Sequence, residues 1–131
     1  MADVVNTLVV FPGKRHYTAH WLNESDGTGE SAVIKLNVSD LTGPDGSSPS
    51  YVSILSIEYS VWGINYVTLY YDATTDDEAV VLKGTGLIDF WPMGGQVDPQ
   101  TTGTTGDIKL TTDGATDGGG YSILITFRLH D

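Results

Sequence analysis

YSILITFRLH, residues 121–130, alternates for ten positions. Tyr121, Ile123, Ile125, Phe127 and Leu129 fall on one face, and Ser122, Leu124, Thr126, Arg128 and His130 on the other. Successive side chains of a strand point to opposite sides, whereas a helix would scatter the five apolar residues around its circumference. The stretch reads as a half-buried strand, and others repeat its pattern. Residues 18–22 put Ala19 and Trp21 on one face and His20 on the other. Residues 32–38 group Ala32, Ile34, Leu36 and Val38, and residues 55–61 alternate Leu55, Ile57, Tyr59 and Val61 with Ser56, Glu58 and Ser60. Shorter candidates lie at 7–11, 66–72, 79–83, 87–91 and 107–112.

The 16 glycines cluster between these stretches. Glycine supplies positive φ at turns and weakens helix interiors, so the punctuation is that of strands and turns. No stretch has a convincing helical period. The expectation is an all-β, single-domain β-sandwich, jelly-roll-like, of about eight or nine antiparallel strands. The domain spans residues 1–131, with 1–13 as an extended N-terminal interaction segment. Residues 42–50, 93–106 and 113–120 read as surface loops.

The chain has no cysteine, which excludes disulfides, thiolate metal sites and a cysteine nucleophile. Its 17 acidic against 6 basic side chains give a formal charge of -11. Nucleic-acid backbones and anionic membranes both call for the opposite sign, so neither is an expected partner. Residues 1–5, MADVV, lack the basic start and apolar core of a signal peptide. An acidic surface favours solubility and basic partners.

Two acidic stretches are candidates for chemistry. In NESDGTGE, residues 23–30, Glu24, Asp26 and Glu30 offer oxygens to calcium, but the carboxylates do not recur at the alternate positions a calcium loop needs. Ser-Asp-Gly-Thr-Gly has the residues of a hairpin turn, which is the favoured reading. Asp72, Asp76, Asp77 and Glu78 would suit glycoside hydrolysis only if two carboxyls flanked a groove with separated pKa values; adjacent acids between strands read as solvated loop residues. The metal expectation is none, with Asp26, Glu30, Asp76 and Asp77 as the weaker alternative. His16 and His20 share a strand face but lie roughly 13 Å apart, too far for one ion, and exposed strand histidines are the simpler reading.

The aromatic residues Trp62, Tyr66, Tyr70, Tyr71 and Trp91 raise sugar stacking as a possibility, against the general enrichment of aromatics in strands and interfaces. Residues 7–17 and 90–99 combine apolar with irregular sequence where a monomer would prefer polar turns. Val9, Phe11, Pro12, Tyr17, Phe90, Trp91, Pro92 and Met93 are therefore the expected interface residues. No nucleotide-binding loop, zinc-protease motif or nucleophile elbow is present, and no enzyme signature remains.

Three stretches, in their order and spacing, carry a resemblance: NESDGTGESAVIKLNVSDL (23–41), YDATTDDEAVVLKGTGLIDFWPMGG (71–95), and TGDIKLTTDG with GGGYSILITF (105–127). Together they resemble a family of small structural proteins of tailed bacteriophages, many of which infect marine or freshwater bacteria. The string SDGTGESAV, residues 25–33, is the most specific part. The resemblance implies a non-enzymatic virion protein, assembled in the host cytoplasm and needing no cofactor. A capsid decoration (cement) protein is the leading role. A neck, tail, fibre or tube subunit is the alternative within the class, and a carbohydrate-binding module for host attachment the one outside it. Implied partners are copies of itself, as a trimer or higher symmetric assembly, and the major capsid protein or other virion proteins.

Overall fold

A computed structural model describes residues 4–99 and 103–130; of Pro12 only the backbone is described. Nine strands form: β1 (Val4–Pro12), β2 (His16–Asp26), β3 (Val33–Leu36), β4 (Tyr51–Trp62), β5 (Tyr66–Ala73), β6 (Asp77–Leu82), β7 (Thr85–Asp89), β8 (Thr104–Asp113) and β9 (Asp117–His130). One sheet has the order β1-β2-β9-β4-β7 and the other β3-β8-β5-β6, with antiparallel pairing throughout. From β2 onward the chain lays down two four-stranded sheets, 2-9-4-7 and 3-8-5-6, which is the strand order of a jelly roll. β1 is an extra strand on the rim of the first sheet.

β9 sits at the centre of that sheet, and its alternation sets the core. Phe127 lies between Tyr17 and Ile54, Ile125 between Ala19 and Ile57, Ile123 between Trp21 and Tyr59, and Tyr121 between Asn23 and Val61. These inward rows meet Val67, Leu69, Leu82, Ile108 and Leu110 of the second sheet, all fully buried. Burying each such side chain contributes about 1.5–3 kcal/mol, so the sandwich closes without a disulfide.

Several local expectations need correction. Residues 32–38 do not form one alternating strand. β3 spans four residues, its register slips between Ile34 and Leu36, and a 3-10 turn follows at Val38–Asp40, capped by the Asn37 side chain. Ile34 is therefore exposed while Leu36 is buried. In β4 a bulge between Ile54 and Ser56 takes Leu55 out of the inward row. The expected strand 87–91 begins and ends two residues earlier, because Trp91–Met93 winds into a 3-10 turn.

The glycine run 118–120, read as loop, opens β9 instead. The backbone there is squeezed between β2 and β4. A Cβ on Gly120 would collide with the Asn23 carbonyl oxygen, and one on Gly119 would fall 2.6 Å from that of Gly63. Gly120→Ala should therefore cost about 1–3 kcal/mol by overpacking. A urea melt should show a lower midpoint at unchanged m-value.

Candidate functional site

β1 pairs with β2 and leaves its other edge free. Its register places Val5, Thr7 and Val9 on the side of the sheet that faces inward on β2, opposite Asn23, Trp21 and Ala19. Asn6, Leu8 and Phe11 face outward, opposite Leu22, His20 and Thr18. The second sheet is one strand narrower, so the inward side of β1 is as exposed as the outward side. Val9 is 50% and Phe11 55% exposed, and Val4, Val5, Leu8 and Val10 are similar.

Residues 90–96 form the second part of the surface. Asp89 Oδ1 accepts the Trp91 amide hydrogen at 3.0 Å, and Gly94, at φ 81°, closes the turn. The Phe90 amide donates to the Leu55 carbonyl, and Gln96 and Ile54 exchange a pair of backbone bonds. These bonds hold the turn on the flank of β4, with Gly95 over Ser53 and Leu55. The Trp91 ring reaches His16 of β2, with centroids 5.7 Å apart, while remaining 52% exposed; Met93 is 69% exposed. His16 and the outward-facing Phe11 belong to the same end of the β1–β2 hairpin. The fold thus unites the two segments, 7–17 and 90–99, that sequence singled out separately.

Not all eight expected interface residues are free surface. Val9, Phe11, Trp91, Pro92 and Met93 are exposed. Tyr17 and Phe90 instead pack against the core, each half-buried, and burial together with Asp40 raises the Tyr17 phenol above its ordinary value. The Pro12 side chain lies outside the described residues.

The acidic residues go to structural work. Asp26 Oδ1 accepts from the amide and the hydroxyl of Thr28, and Ser25 Oγ from the Gly27 amide, so residues 25–29 form the expected turn. Glu30 does not belong to it. Its side chain, 6% exposed, pairs with Lys35 Nζ at 2.5 Å and accepts from the Tyr121 hydroxyl at 2.5 Å and Asn23 Nδ2 at 3.0 Å. Lys35 Nζ also sits 5.9 Å from the Tyr121 ring centre. A glutamate three residues before the short strand β3 and a lysine within it were the one sequence sign of this clamp, and sequence reasoning missed it.

At the other end of the sandwich Lys109 Nζ bridges Asp72 at 2.7 Å and Asp76 at 3.2 Å, and Asp76 Oδ1 accepts the Ala73 amide hydrogen. Burial pushes the Asp72 carboxyl up, but hydrogen bonds from Lys109 and Thr105 outweigh it and hold the group below its ordinary value. Asp77 heads β6, opposite Tyr71. Glu30 bonds Thr112, whereas Asp72 and Asp76 meet Lys109 and Asp72 also accepts from Thr105, so different residues of β8 hold the two acidic groups. Among the described residues no group of three or more His, Asp or Glu is placed to share a metal ion.

The histidines are half-buried, each with a partner, rather than exposed. His20 Nε2 bonds Ser122 Oγ at 2.7 Å; His130 stacks on Tyr51 and reaches Ser53 Oγ at 2.5 Å; His16 meets Trp91. Of the aromatic residues, exposed Trp62 ends β4 and exposed Tyr66 opens β5 after a three-residue connection, with Tyr70 farther along β5. Tyr71 is buried. A cleft of about 410 Å³ lies beside it, lined in part by Tyr51, Asp72, Asp98 and Asp107. Asp107 closes the floor by accepting the Val38 amide hydrogen at 2.9 Å.

No protein-family model matches the chain, and no curated protein matches it. Among solved structures, a cupin-superfamily protein from Desulfitobacterium hafniense is similar over 100% of this chain and 82% of its own, at 8% identity and a TM-score of 0.37. A likeness that distant carries no argument about function, and the jelly-roll order rests on the hydrogen-bonded pairing above.

Lys35→Met strands the Glu30 carboxylate and should cost about 3 kcal/mol, most of it recovered in the double variant Glu30→Gln/Lys35→Met. Chemical denaturation of the three proteins checks this. Tyr71 gives a pH prediction. Burial, with Asp98 adding to it against the Gln96 hydrogen bond, pushes the phenol from 10.0 up to about 12. The folded state therefore keeps a proton that the unfolded chain releases. This stabilisation is complete below pH 10 and fades as pH rises towards 12. The urea midpoint should fall over that window, and fall less in Tyr71→Phe.

Proposed function

We propose that this chain is a non-enzymatic structural subunit of a tailed-bacteriophage virion, a capsid decoration protein that docks on the assembled head shell. The observation that carries the structural role is the apolar rim of the first sheet: both faces of β1, with Trp91 beside the same hairpin and exposed Met93 in the same turn as Trp91. Exposed apolar surface gathered on one rim marks an interaction site, whereas single scattered residues do not. The assignment to a phage particle rests on the sequence resemblance over residues 23–127, and the head is the leading place because small β-sandwich proteins of phages often decorate capsids.

The physical work is mass action. A rim that meets its match only on an assembled lattice binds the expanded shell and not free subunits, and so stabilises it. Many symmetric copies make a modest contact per subunit sufficient. The charge of -11 keeps the protein soluble until it docks. A neck, tail or fibre subunit would use the same rim, and copy number separates the two: hundreds per particle for the shell, about a dozen for the tail axis.

Trp91→Ala should lower occupancy on purified particles severalfold while leaving solubility and the urea midpoint near wild type, because the ring is half exposed. Quantitative gel analysis of particles is the measurement. Unchanged occupancy would remove Trp91 from the contact.

A further inference from the structure

We infer that the free edge of β1 pairs antiparallel with β1 of a second copy, about Thr7, so that the first sheets of two subunits become one ten-stranded sheet. This rests on the proposed function only in taking β1 as an assembly surface; it names the partner and the geometry.

The two sheets present four edge strands: β1, β7, β3 and β6. Edge strands are templates for unwanted pairing and are usually guarded by charge, proline or shortness. β3 carries Lys35 and spans four residues, β6 carries Asp77 and Glu78, and β7 carries Asp89. β1, VVNTLVVFP, is nine residues long, has its proline only at the last position, and alone of the nine strands carries no charged side chain. Its unguarded edge is the feature that calls for an occupant.

The strand is also complementary to itself. Residues 4–10, VVNTLVV, read nearly the same in both directions about Thr7. Antiparallel pairing there sets Val5 opposite the partner's Val9, Thr7 opposite the partner's Thr7, and Val4 opposite the partner's Val10. A two-fold axis normal to the sheet keeps each face on its own side, so Val5, Thr7 and Val9, which share a face, meet their counterparts directly. β-Branched cross-strand pairs of this kind are the ones that stabilise antiparallel ladders. The bulge between Val9 and Phe11 limits the regular ladder to about this length.

Electrostatics selects a second copy and its orientation. Two chains of charge -11 repel wherever their acidic surfaces meet, and β1 is the strand along which they approach without facing charges. Among the described residues the charges flanking it lie at its ends: exposed Glu24, opposite Val4, and exposed Lys14 and Arg15 in the hairpin turn after Pro12. The two-fold axis brings the Lys14–Arg15 end of each subunit beside the Glu24 end of the other. Pairing β1 with a neighbour's β7 would meet Asp89 and propagate as an open filament, whereas β1 on β1 is isologous and closes. The unit is a two-fold dimer where the resemblance implied a trimer or larger assembly, and it leaves Trp91 and Met93 outside the paired edge.

The absence of native cysteine makes the test direct. Thr7 is exposed, so Thr7→Cys adds a lone thiol without touching the core. Sedimentation equilibrium of the full chain at micromolar concentration should give twice the chain mass. Mild oxidation should convert Thr7→Cys to a disulfide-linked dimer, because residues directly opposite in a ladder bring their Cβ atoms within reach of a disulfide. Leu87→Cys, on β7, should stay unlinked under the same oxidation. Thr7→Lys, which sets two ammonium groups across the axis, should sediment as a monomer with an unchanged circular-dichroism spectrum. A monomeric wild-type chain, a folded Thr7→Lys that still dimerises, or linking of Leu87→Cys as complete as that of Thr7→Cys would each overturn the pairing. None of these measurements involves a particle, so their failure leaves the occupancy test of the docking role standing, and failure of that test leaves the dimer standing.

Discussion

The inward row of β9 is the constraint on which the other strands depend. Tyr121, Ile123, Ile125, Phe127 and Leu129 lie in the middle of the first sheet, with β2 on one side and β4 on the other. Each must fit a cross-strand neighbour in its own sheet and a side chain of the second sheet above it. Small Ala19 beside Ile125 and large Trp21 beside Ile123 show how the row is filled to interior density. A slip of one residue would turn five large apolar side chains to solvent, so the register of the whole sheet is fixed from this strand outward.

The rim follows from a mismatch in width. Five strands in one sheet face four in the other, so β1 extends past the point where the second sheet can cover it. A strand rich in valine is otherwise the natural sequence for a covered position. Here it is left open on both faces and along one edge. The remaining surface is acidic, and contact with another macromolecule is least opposed where charge is missing. Apolar rim and acidic body therefore act together, one providing a contact and the other confining contact to that place.

The carboxylates hold the sandwich ends closed. Glu30 with Lys35, Tyr121 and Asn23 fastens β2, β3 and β9 at one end, and Lys109 with Asp72 and Asp76 fastens β5 and β8 at the other. A charge near a sheet edge is costly unless it is paired and hydrogen-bonded, and both clusters meet that condition. The acids that invited a metal or hydrolytic reading are largely committed to these clamps, to turns and to backbone amides.

By itself the sequence determined the class and most of the strands, because period-two alternation in residues 18–22, 55–61 and 121–130 is a local property that any half-buried sheet must display. It also marked the turn at residues 25–29, where Asp, Thr and two glycines satisfy the backbone within five residues. It did not determine where alternation breaks. The bulge that ejects Leu55, the shortening of β3 and the drawing of Gly118–Gly120 into β9 all answer to neighbours far away in the chain. Glu30 looked like part of a turn until β9 brought Tyr121 to it from 91 residues away. Above all, the sequence marked residues 1–13 as an interaction segment, but only the tertiary structure decided that the sheet opposite stops one strand short and leaves both faces of β1 open. Local sequence encodes which side chains share a face; whether that face is covered depends on the width of a layer built from other parts of the chain.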